Sequence, residues 1–213
     1  MFGSDKERLV MRREIARAHQ HVHSQPADAV RYDAFDSQLQ LWVAACLYKG
    51  VEDVHTRIYG PLGDDRLELV YQHSRRFGTT LQVSDEMWPR TRDAFEEYWQ
   101  SESAQTNMDD LTRPYLQSIA DFTFLLEPLG GLGAALKPLI RPFGWTITGG
   151  FLPQAFRDEI GLAWTRRDQR RFDGFIRIAG TITRALPRPL REFPFNVYLW
   201  DTRRRIRLGR AVV

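Results

Sequence analysis

Apolar positions recur at helical spacing along nearly the whole chain. Residues 4–22 open on Ser4-Asp5-Lys6-Glu7, a capping-box pattern, and carry Leu9, Val10, Ile15 and Ala18 on a loosely apolar face. A loop holding Pro26 leads to Arg31. Asp36 is a good N-cap for a second helix over 37–58, in which Leu39, Trp42, Val43, Cys46, Leu47, Val51 and Val54 follow the helical period. This is the strongest periodic segment, and that stripe is expected to face the core. Asp64 caps a third helix, which Gly78 is expected to stop. Thr91 caps a fourth carrying Phe95, Tyr98 and Trp99, with 101–109 polar and loop-like. Thr112-Arg113-Pro114 puts a proline in the first turn of a fifth helix, over 113–126. Residues 128–153, rich in proline and glycine, are expected to be the least regular part, with a short helix over 132–141 interrupted at Pro138. Helices over 154–161, 166–186 and 195–208 complete the pattern. No segment alternates apolar and polar residues. The expected fold class is therefore all-α: a single multi-helix domain over 1–213, with orthogonal or bundle-like packing and no sheet.

Composition narrows the class. A chain of 213 residues, 43% hydrophobic and 27% charged, can bury a core and is ordinary for a globular protein. No apolar run follows a basic start, so no signal peptide is read. No stretch is long and apolar enough to span a bilayer; the best, 129–152, is interrupted by Lys137 and Arg141 and suits a membrane surface instead. A lone cysteine, Cys46, excludes an internal disulfide framework, fits the cytoplasm, and reads as a small buried hydrophobe. Charge is uneven: 1–136 carries a net −7 and 137–213 a net +10, within a total of +3. Two readings stand: halves that attract each other within one fold, or a peripheral membrane contact through the basic C-terminal half. Arg203-Arg204-Arg205, Arg207 and Arg210 come with no zinc-finger spacing, recognition helix or stacking platform, so no specific nucleic acid is expected.

Candidate chemistry centres on His19, His21 and His23. On a continuous helix His19 and His23 lie one turn apart on one face. Three readings stand: an i, i+4 metal chelate, a single imidazole serving as an axial ligand, or partly exposed polar residues favoured at a helix C-terminus. His55 and His73 are isolated and read as structural. No serine sits in a G-x-S-x-G elbow. Gly130-Gly131-Leu132-Gly133 follows no strand and is no nucleotide loop.

The order His19, then Tyr32-x-Ala34-x-Asp36-x-x-Leu39-x-Leu41-Trp42-Val43, resembles the family that groups the mycophenolic-acid pathway oxygenase with the latex-clearing rubber oxygenases. The likeness continues through Tyr59-Gly60-Pro61-Leu62, Arg75-Arg76-Phe77-Gly78 and Ala94-Phe95-x-x-Tyr98-Trp99. Further on come Phe151-Leu152-Pro153 with Phe156-Arg157 and Gly161-Leu162-x-Trp164, then Leu186-Pro187-x-Pro189-Leu190-Arg191-x-x-Pro194. It implies an all-helical fold and a haem b used with dioxygen on an apolar, isoprenoid- or lipid-like substrate. His19 matches the family's axial ligand to the haem iron. His23 stands where an arginine is frequent and joins His19 as a candidate cofactor contact. Ala44 stands where many relatives carry a histidine. Members usually begin with a helical segment ahead of the position of Met1. The alternative function is a catalytically inactive or truncated helical module of the same family, one that a partner could complete.

Overall fold

The computed structural model describes residues 4–25, 31–81 and 83–210. These hold ten α-helices: α1 (Asp5–His19), α2 (Ser37–Tyr59), α3 (Asp64–Thr80), α4 (Arg92–Gln105), α5 (Arg113–Ala120), α6 (Gly130–Phe151), α7 (Gln154–Glu159), α8 (Arg166–Ala185), α9 (Arg188–Arg191) and α10 (Phe195–Arg207). Among the described residues there is no strand, only an isolated antiparallel bridge between His23 and Asp33. The fold is all-α. The loop expected around Pro26 lies outside the described residues. The chain divides into two compact units, one of Met1–Thr56, Gly60–Trp99 and Ala185–Val213, the other of Arg57–Tyr59 and Gln100–Arg184.

In the first unit, side chains satisfy the orphan amides that open α1 and α2. The Glu7 amide donates to Ser4 Oγ at 3.3 Å and the Ser4 amide to Glu7 Oε2 at 2.6 Å, completing the capping box. Asp36 Oδ1 accepts from the amides of Gln38 and Leu39 at 2.8 and 3.2 Å. The core is a knot of four rings. Tyr48, Tyr71, Trp88 and Phe95 are all buried, with Tyr48 edge-on to Phe95 at 4.9 Å and to Tyr71 at 5.3 Å between centroids. The Tyr71 hydroxyl donates to Pro89 O at 2.5 Å, so burying it strands no donor.

Two expectations change here. The core face of α2 is not the stripe the period suggested. Leu41, Ala44, Ala45 and Tyr48 are buried, whereas Leu39, Val43, Leu47, Val51 and Val54 are exposed. The helix is apolar on two sides, and the ring knot takes the side with small residues, Ala44 and Ala45, in one cluster with Tyr71 of α3 and Phe95 of α4. Gly78 does not stop α3. It is buried inside the helix, where a Cβ would come within 3.2 Å of Val83 Cβ, so its role is close packing.

In the second unit α6 runs unbroken for 22 residues through Pro138 and Pro142. Both prolines are exposed and one turn apart, so the lost amide bonds fall on one side. The opposing contact outweighs that cost. The 3-10 stretch Thr123–Leu129 packs along α6, the Leu126 backbone lying against buried Gly133, and the backbone of Asp121 just before it lies against buried Gly144. Helix α5 ends at Ala120, short of the expected 126, because Phe122 adopts a left-handed φ of 64°. Helix α4 runs on to Gln105 through residues expected to be loop. Arg157 ties this unit's later motifs together: Nη1 donates to Gly149 O at 2.9 Å and Leu152 O at 2.8 Å, and the guanidinium lies 5.3 Å from the Trp164 ring centroid.

Candidate functional site

His19 is the last residue of α1. The Val22 amide donates to its carbonyl at 2.9 Å, closing a turn, and the chain then extends to pair His23 with Asp33. The helix therefore stops three residues before the expected Val22, and His23 is not one helical turn above His19. The i, i+4 chelate needs a helix that is not there. Among the described residues, no group of three or more His, Cys, Asp or Glu converges to hold a bare metal ion. His19 is half-buried, and its Nδ1 is buried without a hydrogen-bond partner. A buried ring nitrogen left unpaired is costly in a finished core and calls for an explanation. His21 and His23 are exposed.

A second imidazole has a better-defined orientation. His73 on α3 has Nδ1 2.8 Å from Leu69 O. A carbonyl only accepts, so Nδ1 is the donor in this bond. Metal-ligating histidines are commonly oriented this way. His73 lines a cavity of about 410 Å³ together with Val51, Leu69, Val70, Ser74, Arg76 and Phe77. Its wall is almost wholly apolar. The cavity lies at the Val51 end of the exposed α2 stripe. Sequence reasoning set His73 aside as isolated; the signal was Leu69, His73 and Phe77, which fall one turn apart on one face.

Cys46 is exposed, not buried as expected, yet the surrounding protein pushes its thiol up to about 11. It stays protonated at neutral pH and is no nucleophile. Burial also raises the phenols of Tyr48 and Tyr71, with Glu52 and Glu68 respectively adding to the effect.

An iron porphyrin asks of a protein an axial base, an apolar slot and cations for its carboxylates. The first unit holds a candidate base in His19 at the end of α1 and, separately, an apolar cavity walled by Val51, Leu69, Val70 and Phe77 with Arg76, a lining that does not include His19. The buried, unpartnered ring nitrogen of His19 is the observation here that suits such a group.

The described residues are all-helical, and comparison with known proteins supplies the class. Residues 1–181 match the family described as ER-bound oxygenase mpaB/B'/Rubber oxygenase, catalytic domain, and the chain belongs to that family. It is 39% identical over 212 residues to the uncharacterized proteins Rv2237 of Mycobacterium tuberculosis and Mb2261 of Mycobacterium bovis, a match covering 100% of this chain and 80% of each relative. No solved structure matches.

Proposed function

We propose that this chain is a haem b-dependent oxygenase acting on an apolar, isoprenoid- or lipid-like substrate with dioxygen as co-substrate. The observation that carries the reading is the membership of an oxygenase catalytic-domain family together with the buried, unpartnered ring nitrogen of His19. Bound haem supplies the dioxygen chemistry. The chain supplies the rest. His19 would hold the iron through a ring nitrogen, and its position at the end of α1 anchors the ring. His23 acts from further out: its backbone bridge to Asp33 pins the segment that follows His19. Val51, Leu69, Val70 and Phe77 exclude water and give an apolar substrate a wall to lie against. Arg76 offers a cation to a propionate.

A second reading, a non-catalytic helical module completed by a partner, draws on the exposed α2 stripe of Leu39, Val43, Leu47, Val51 and Val54. Expression with haem supplied separates the two. The oxygenase reading expects a Soret band in the purified protein that changes in His19→Ala. No band, or one indifferent to that substitution, removes it.

A further inference from the structure

We propose that the hairpin made by the 3-10 stretch Thr123–Leu129 and the first half of α6 docks on an anionic membrane surface. Its apolar tip enters the acyl region, and Lys137 with Arg141 bind a lipid phosphate. This does not rest on the haem reading.

The two arms run antiparallel. An ideal Cβ at Gly133 would meet Leu126 O at 2.0 Å, and one at Gly144 would meet Asp121 C at 2.4 Å. The tip is therefore the turn at Leu129 and Gly130. Its large side chains are uncovered: Leu125 is 58% exposed, Leu129 48% and Leu132 64%. Among the described residues no single helix is long and apolar enough to cross a membrane, but Arg113–Ala120 with Thr123–Phe151 meets that test as a pair bent by 87°. That bend falls at Asp121 and Phe122, at the base of the hairpin and not at its tip.

The polar half of the site lies further up α6. A cavity of about 490 Å³ is lined by Gln117, Ser118, Asp121, Thr123, Lys137 and Arg141, with Pro114 and Pro138. Asp121 is buried, and its Oδ1 accepts from the Thr123 amide at 3.0 Å and from Thr123 Oγ1 at 2.6 Å. Its Oδ2 lies 3.0 Å from Arg141 Nε. The Nε edge of the guanidinium is thus held by Asp121 while Arg141 lines the cavity. Lys137 lies one turn before Arg141 and adds a second positive charge against the single carboxylate. The net field in the cavity selects an anion.

Distances match a bilayer. At a rise of 1.5 Å per residue, Lys137 and Arg141 stand roughly 10 and 16 Å up α6 from Gly130. A tip seated about 5–10 Å into the headgroup and acyl boundary brings both to phosphate level. Residues 129–152 contain no Asp or Glu. The arginine-rich C-terminus is a weaker candidate than its charge suggested, because Arg203 bonds Glu7 at 2.8 Å and Arg205 bonds Asp201 at 2.7 Å. One residue opposes the hairpin: Glu127, exposed and close to the tip.

The test is co-sedimentation of the full chain with vesicles of phosphatidylcholine alone and with roughly a third phosphatidylglycerol. Binding is expected only to the anionic vesicles. It should weaken roughly 30-fold in Lys137→Gln/Arg141→Gln, at about a factor of five per charge. It should be lost in Leu129→Asp/Leu132→Asp and strengthened in Glu127→Gln. The altered side chains are exposed, and far-ultraviolet circular dichroism checks that each variant folds. Binding to neither vesicle, equal binding to both, or binding unchanged by the Lys137/Arg141 pair overturns the proposal. So does a site that takes inorganic phosphate while the protein ignores anionic vesicles.

Discussion

Gly150→Ala and Gly174→Ala make the same chemical change in two helix interiors and should move stability in opposite directions. At Gly150 on α6 the added methyl would stand 2.2, 2.3 and 2.4 Å from Cδ2, Cγ and Cε2 of Phe172. Carbon atoms in contact sit roughly 3.5–4.0 Å apart, so the ring must retreat by more than about 1 Å. It has nowhere to go. Phe172 is fully buried, with Phe151 at 5.1 Å, Trp164 at 6.4 Å and the Arg57 guanidinium at 5.0 Å from its ring. Overpacking of this kind costs about 1–3 kcal/mol, and a rigid site belongs near the upper end. Alanine returns about 1 kcal/mol through helix propensity, leaving a net loss of about 2 kcal/mol. At Gly174 on α8 nothing lies within 4 Å of the added atom, so only the gain of about 1 kcal/mol remains. Thermal denaturation followed by far-ultraviolet circular dichroism reads both. The melting temperature should fall by roughly 4–8 °C in the first variant and rise by roughly 2–4 °C in the second. If Gly150→Ala is as stable as the parent, or if both variants shift the same way, the packing of α6 on α8 is not as described.

Two further predictions probe the first unit. Leu41→Ala should cost about 2–5 kcal/mol, whereas Leu47→Ser on the exposed side of α2 should stay within about 0.5 kcal/mol; equal costs in a urea titration would mean the helix is rotated from the orientation described. The raised phenol pKa values of Tyr48 and Tyr71 make stability pH-dependent. Both groups are neutral in the folded state, so their contribution is whole below the ordinary phenol value of about 10 and declines as pH rises above it. The urea midpoint should fall above about pH 10, and less steeply in Tyr48→Phe; a midpoint flat through that range contradicts the burial of the rings.

What the sequence disclosed, and where it misled, follows from local physics. The caps Ser4, Asp36 and Thr91 are read correctly because a cap is a contact between near neighbours, with Thr91 Oγ1 3.2 Å from the Ala94 amide, whereas Asp64, expected to cap α3, is its first residue and Gly63 takes the cap position with no side-chain bond. The orientation of α2 is not legible in the same way. A helix with apolar residues on two sides has a clear period and an ambiguous phase, and only the arrival of Tyr71, Trp88 and Phe95 decides it. The prolines and glycines of α6 point to a broken segment because their local effect is to break helices. Here Gly133, Gly144 and Gly150 instead open room for other parts of the unit to approach. His19 stands out from the motif order alone. His73 does not, because its proton position and its apolar cavity arise from the fold, and the hydrogen bond to Leu69 O is the detail that draws it out.

The central claim, that His19 gives this oxygenase-family chain a haem ligand, is tested most directly by ligand rescue. Hemin is titrated into the parent and into His19→Ala, and imidazole is then added to the variant. The account predicts a saturable Soret band in the parent, an altered band in the variant, and its return toward the parent's on adding imidazole. A parent that leaves the hemin spectrum unchanged, or a variant whose spectrum equals the parent's before imidazole is added, contradicts it.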